Sequence, residues 1–142
     1  MRVMGLDVGE RRVGVALSDE LGITAQGFKV IDRKEGIFDE LAEIAEKYQV
    51  TEVVVGLPKR MDGTLGPQAE KVLAFGEELK RRLRLPVKFW DERLSTAEAE
   101  RLLLQADQSR RKRKKVRDKV AATIILQGYL DHRGRGGGKD LP

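Results

Sequence analysis

The sequence contains no cysteine, which excludes disulfide bonds and metal sites built from thiolates. It has a single histidine, His132, so a bound metal ion would take its ligands almost entirely from oxygen atoms. No apolar run approaches the length of a bilayer span, and the first residues alternate like a strand instead of forming an apolar leader. We therefore expect a cytoplasmic protein that makes no membrane contact.

The 142 residues suffice for one compact domain with a hydrophobic core, but not for two ordinary ones. We predict a single domain over residues 1–133. Residues 134–142 are rich in glycine and include basic side chains, a composition that favours a disordered tail.

Positive charge is concentrated in one segment. Lys and Arg number 28 against 23 Asp and Glu, a formal net charge of +5. Almost every residue of the segment 110–117 is basic, namely Arg110, Arg111, Lys112, Arg113, Lys114, Lys115 and Arg117. Such a run is typical of a solvated loop, and it is also typical of a surface that binds phosphates. The two interpretations are compatible, and we predict that these residues bind a nucleic-acid backbone.

The spacing of apolar residues predicts an alternation of strands and helices. Strands are expected at residues 2–7, 12–18, 26–32, 53–57 and 87–91. Helical spacing covers residues 37–48, begins again at Pro67, and is followed later by the uncharged segment 120–126, which predicts a buried helix. Ser95 and Glu98 are spaced as a capping box that would start a further short helix.

This order of elements predicts an α/β protein in which three antiparallel strands are extended by two parallel crossovers. It is the arrangement of the ribonuclease H-like fold, a five-stranded mixed sheet of order 3-2-1-4-5 with helices on both faces. Flavodoxin-like and ferredoxin-like arrangements have a similar order of elements and stay open at this point.

Carboxylates are expected at one edge of the predicted sheet. Asp7 ends the first strand between Gly5 and Gly9, which leave room for a phosphate or a metal ion. Asp91 and Glu92 end the fifth strand, and parallel strands bring such ends to the edge where open sheets bind ligands. The pattern does not decide which of the two would be a ligand. The simpler alternatives are a strand-ending turn at the first position and a structural salt bridge at the second.

Asp118 precedes the uncharged segment by two residues. Ala121, Ala122 and Ile125 follow it at helical spacing, so we expect it to face the interior or a cleft. A simpler role is to favour the N-terminus of a helix electrostatically.

Together these carboxylates form a candidate metal site. Oxygen ligands of this type suit Mg²⁺ or Mn²⁺, and two such ions about 4 Å apart can hydrolyse a phosphodiester. The candidate ligands and catalytic residues are Asp7, Asp91, Glu92 and Asp118. The residues expected to shape the cleft are Gly5, Gly9, Gly56 and Arg93.

Several motifs, spread in order over nearly the whole chain, resemble those of the YqgF family, also called RuvX. They are Gly5-Leu6-Asp7-Val8-Gly9, Val55-Gly56-Leu57-Pro58, Met61-Asp62-Gly63-Thr64, Asp91-Glu92-Arg93-Leu94-Ser95-Thr96, and Asp118 followed by Ala121-Ala122. The resemblance implies a ribonuclease H-like fold and a nuclease that depends on divalent metal ions. It also implies a role in maturing the 5′ end of small-subunit ribosomal RNA, and it assigns the acidic roles to Asp7, the Asp91–Glu92 pair and Asp118.

Three other functions compete with this one. ATP-binding proteins of the actin, Hsp70 and sugar-kinase superfamily open with a similar Asp-x-Gly turn, but they need two such domains. A noncatalytic RNA-binding assembly factor would use the basic surface alone. A Holliday junction resolvase would act on branched DNA as a twofold dimer. We rank RNA processing first on the family resemblance, and leave open whether the protein is a monomer or a homodimer.

Overall fold

The computed structural model describes residues 1–92 in full, the backbone of residues 110–134 and the side chains of residues 119–133. The elements in chain order are β1 (Arg2–Val8), β2 (Arg12–Ser18), β3 (Ala25–Asp32), α1 (Ile37–Lys47), β4 (Val50–Leu57), α2 (Pro67–Leu83), β5 (Val87–Asp91) and α3 (Arg110–Gly134). Three predictions lie outside the described residues: the short helix at Ser95, the role of Arg93 and the disorder of residues 135–142. Gly134, which we expected to begin the tail, is instead the last residue of α3.

The five strands form one sheet of order β3-β2-β1-β4-β5. β2 is antiparallel to both β1 and β3, whereas β4 is parallel to both β1 and β5. The predicted strand order is therefore confirmed, and the antiparallel meander excludes a flavodoxin-like, all-parallel sheet. β4 begins at Val50, ahead of its apolar run, because Arg2 and Val3 of β1 extend the ladder to Val50 and Glu52.

Described helices cover both faces of the sheet. Met4 and Leu6 of β1 belong to the core beneath α1 and α2, which also contains Val53 and Val55 of β4. The alternate residues Val3 and Val54 belong to a smaller core beneath α3, with Ala122, Leu126 and Tyr129. Successive side chains of a strand point to opposite faces, so one sheet can supply both cores.

The last helix corrects one expectation. We expected a helix from Val120 preceded by a basic loop, but α3 already begins at Arg110 and includes the basic run. Lys and Arg are good helix formers, and the sequence has no glycine or proline between Arg110 and Gly128. Asp118 consequently lies inside α3, so a role at the N-terminus of the helix does not apply to it.

None of the three helices in the described part of the chain is both long enough and apolar enough to span a membrane.

Candidate active site

Asp7 lies at the carboxyl end of β1, opposite Gly14 of β2. The alternation of β1 puts it on the same face as Val3 and Gly5, the face covered by α3. Its side chain is partly buried. A carboxylate in such a position is costly unless a cation or a proton stabilises it.

Glu92 follows β5 and reaches toward Asp7 across the intervening strand β4. Its Oε1 lies 2.7 Å from the place that a Cβ on Gly56 would occupy. β1 and β5 are separated by two strand spacings, about 10 Å. The Glu92 side chain extends across part of this gap because Gly56 has no side chain in its path. The carboxyl groups of Glu92 and Asp7 are hydrogen-bonded to each other.

This contact couples the two carboxyl groups electrostatically. Burial raises the pKa of Glu92, and the negative charge of Asp91 raises it further, whereas the hydrogen bond with Asp7 lowers it. The net direction is upward. Because two ionised carboxylates this close together repel each other, the pair favours a proton or a cation between them.

Asp91 points to the opposite face of the sheet. It pairs with Leu57 of β4, and its Oδ2 lies 3.8 Å from Nζ of Lys59. Its side chain is only 15% exposed. The sequence left the choice between Asp91 and Glu92 open, and the structure brings Glu92 to Asp7 and Asp91 to Lys59.

Lys59 was not predicted from the sequence as a site residue. It stands at the start of a hairpin that follows β4 and ends at Leu65. The only available signal was the Asp62-Gly63 pair, which is typical of a turn and says nothing about Lys59.

The space beside two of the expected cleft glycines is already filled. A Cβ on Gly5 would lie 2.6 Å from Cβ of Leu126, so the missing side chain lets α3 pack closely on β1. A Cβ on Gly9 would lie 2.9 Å from the carbonyl oxygen of Arg12, within the β1–β2 turn. We expected room for a phosphate or a metal ion beside both glycines, and the described contacts show helix packing and turn formation there instead.

The backbone of α3 runs toward the end of the sheet where Asp7 lies. Tyr129 contacts Glu52 near the start of β4, whereas Ile125 contacts Gly56 near its end. Asp118 lies one helical turn ahead of Ala122, whose carbonyl oxygen is 3.2 Å from the Cβ position on Gly5. One turn of helix advances about 5 Å, and two residues of strand advance about 7 Å, so the backbone of Asp118 approaches the level of Asp7.

A complete metal cluster is not present among the side chains that the structure describes. No group of three or more Asp, Glu or His residues has ligand geometry there. The described pair is Asp7 and Glu92, and the side chains of Asp118 and of the basic residues 110–117 lie outside the described part.

Nearly the whole chain matches a known protein family. Residues 1–132 match the sequence profile of RuvX, a family described as Holliday junction resolvase. The chain belongs to the RuvX family. The predicted family is thereby confirmed.

Two similar relatives cover almost the whole chain. A protein of Halothermothrix orenii is 58% identical over 137 residues, covering 95% of this chain and 98% of its own length. A protein of Desulforamulus reducens is 60% identical over 133 residues, covering 92% and 97%. Both are named as pre-16S rRNA nucleases, and a nuclease is the class of enzyme that the sequence predicted.

The fold has counterparts among solved structures. RuvC of T. thermophilus, in complex with a Holliday junction substrate, superimposes with a TM-score of 0.61 at 17% identity, and the match covers 96% of this chain and 97% of RuvC. At that identity the likeness shows the fold alone. This RuvX-family chain has the ribonuclease H-like fold that its order of elements predicted.

Proposed function

We propose that this RuvX-family chain is a divalent-metal-dependent nuclease that processes the 5′ end of pre-16S rRNA. The observation that carries the proposal is the hydrogen-bonded pair of Asp7 and Glu92 at the carboxyl edge of the sheet. The substrate is suggested by the names of the relatives that match nearly the whole chain. Such a substrate implies that the protein acts in the bacterial cytoplasm.

The donor set fits Mg²⁺ or Mn²⁺. Both ions prefer carboxylate oxygens, and the chain contains no cysteine that would favour a softer metal. Asp7 and Glu92 bring two carboxyl groups together, and a cation bound between them would neutralise their charge. We assign Asp7, Glu92 and Asp118 as the ligands of two ions, which would supply an activated water and stabilise the leaving oxygen of the phosphodiester.

Asp91 takes a supporting role in this proposal. Its ion pair with Lys59 ties the end of β5 to the loop after β4 and so fixes the position from which Glu92 reaches inward. Its negative charge also raises the pKa of Glu92. We therefore expect metal affinity to increase with pH, because a carboxyl group must be deprotonated to bind the ions and the pKa of Glu92 is raised.

The basic first half of α3 is the proposed contact with the nucleic-acid backbone. Phosphate contacts of Lys and Arg give affinity with little sequence preference. Asp118 lies in the same helix as this basic run. One helix would then contribute both a metal ligand and the contacts that hold the substrate.

The test is cleavage of a precursor 16S rRNA fragment and of a synthetic four-way DNA junction, each with Mg²⁺, Mn²⁺ or chelator. Asp7→Asn and Glu92→Gln should each lower the rate about a hundredfold or more, the cost typical of losing one electrostatic contact in an active site. Glu10→Gln is the matched control, because Glu10 is an exposed carboxylate beside the same turn. It should cleave like the parent.

Asp91→Asn distinguishes the roles of the two carboxylates at the end of β5, Asp91 and Glu92. We expect a smaller loss than for Glu92→Gln, with the metal requirement intact, since Asp91 faces Lys59. Thermal unfolding in chelator confirms that each variant is folded. An Asp91→Asn enzyme that is as inactive as Glu92→Gln would contradict the assignment.

The preferred substrate decides between the nuclease functions. Preferential cleavage of the DNA junction would favour the resolvase function and predicts a twofold dimer in solution. Binding of both substrates without cleavage of either would favour a noncatalytic RNA-binding assembly factor.

A further inference from the structure

A short hairpin stands directly after β4, and we call residues 59–65 the rim hairpin. Lys59 pairs with Leu65 at its base. The Arg60 amide donates to the carbonyl of Thr64 at 3.0 Å, and the Gly63 amide donates to the carbonyl of Arg60 at 2.8 Å. Gly63 has a φ of 87°, so the turn is a three-residue hairpin loop closed by a left-handed glycine. This geometry puts Met61 at the tip.

The tip presents its apolar side chain fully to solvent. Met61 is 99% exposed. The turn beneath it is held in shape by Asp62, whose Oδ1 accepts from the Thr64 amide at 2.9 Å and from the Thr64 hydroxyl at 2.7 Å. These internal bonds fix the backbone at the tip, so Met61 projects from a formed turn.

The rim hairpin is beside the candidate active site. Met61 is four residues beyond Leu57, so their Cα atoms are at most about 14 Å apart. Lys59 is in ion-pair distance of Asp91, the neighbour of Glu92. Arg60 places a guanidinium on the same hairpin, 2.9 Å from the Cβ position on Gly66. An apolar tip is thus flanked by cations at the edge where the substrate would be cut.

We propose that Met61 is a wedge that inserts beside a base next to the cut phosphodiester, while Lys59 and Arg60 contact the adjacent phosphates. The inference rests on the proposed nuclease function. Methionine is among the apolar residues that proteins insert between bases, and insertion partly unstacks the neighbouring step. A wedge at this position would open a paired or branched strand at the metal site.

The test uses a short RNA stem with a single-stranded extension, carrying 2-aminopurine as its last paired base. Fluorescence of this base increases when it unstacks, and the measurement is made in chelator so that nothing is cut. Met61→Ser removes the apolar tip, and Met61→Leu retains it. Leu21→Ser is the matched control, because Leu21 is also exposed, at 76%, in the β2–β3 turn far along the chain from the rim hairpin.

We expect binding of the parent, Met61→Leu and Leu21→Ser to increase the fluorescence, and Met61→Ser to lose most of that increase. With metal present, Met61→Ser should cut the paired fragment about tenfold more slowly, while its rate on a fully single-stranded RNA stays near that of the parent. A Met61→Ser protein that gives the parent's fluorescence increase would overturn the wedge, and so would a parent that gives none.

The two proposals can fail separately. A parent that unstacks the probe base through Met61 but cuts neither substrate would contradict the nuclease function and support the wedge. Cleavage that requires Asp7 but is indifferent to Met61 on both paired and single-stranded RNA would do the reverse.

Discussion

Gly56→Ala tests whether the path of Glu92 across β4 determines activity. A Cβ at this position would lie 2.4 Å from Cδ1 of Ile125 and 2.7 Å from Oε1 of Glu92. Contacts this short do not persist, so the carboxylate has to move out to the 3.4 Å of an ordinary contact or beyond. Its hydrogen bond with Asp7 would be lost or rearranged.

The two clashes predict two separate effects. Crowding against Ile125, a residue of α3 that is buried against the sheet, should lower the free energy of unfolding by about 1–3 kcal/mol, the usual cost of overpacking a core. Displacement of Glu92 should lower the cleavage rate about a hundredfold, since a shift of about 1 Å in a catalytic group has that effect.

The assays are urea unfolding in chelator and metal-dependent cleavage of the precursor RNA fragment. Ile125→Val, combined with Gly56→Ala, removes the methyl group that makes the shortest contact, so the double variant should recover part of the stability but little of the activity. Gly76→Ala is the control, since its Cβ would lie 2.4 Å from Cζ of Phe89 on the other face of the sheet. It strains the core without touching Glu92 and should retain activity.

A folded Gly56→Ala protein that cleaves within about threefold of the parent would refute the reasoning, because a change below about 0.7 kcal/mol in activation energy is too small for a displaced ligand. Recovery of full activity in the double variant would also refute it, since the loss would then come from the strain on α3.

Two further predictions concern α3. Tyr129 donates to Oε2 of Glu52 at 2.8 Å, and burial, aided by Glu52, raises the pKa of Tyr129 to about 12. The raised pKa means that this contribution to stability is complete below about pH 10 and disappears as the pH rises toward 12. Tyr129→Phe should therefore cost about 1 kcal/mol in urea unfolding at pH 8 and less at pH 11, and an equal cost at both pH values would contradict the assigned bond. Replacing residues 112–115 with glutamine, also a good helix former, should weaken binding to all RNA sequences alike and reduce the salt dependence by about 0.7 per lost phosphate contact. Parent-like affinity at low salt would exclude the basic run as the binding surface.

Local sequence patterns were sufficient to predict much of the fold. Alternation in β1 and β2, helical spacing in α1 and the Pro67 start of α2 all depend on near neighbours in the chain, and each agrees with the structure within a few residues. The order of these elements was sufficient to predict the strand order. The start of α3 was predicted wrongly, because a run of like charges favours a solvated loop while the same residues have high helix propensity.

The sequence by itself determined the family, the order of the elements and the presence of carboxylates at two strand ends. Only the tertiary structure decided which of the adjacent Asp91 and Glu92 meets Asp7, because neighbouring residues of a strand point to opposite faces and the pairing with β4 sets which face is which. The function of Gly56 was likewise decided there. The absence of a side chain at Gly56 matters because β4 lies between β1 and β5, where both Glu92 and Ile125 contact this position.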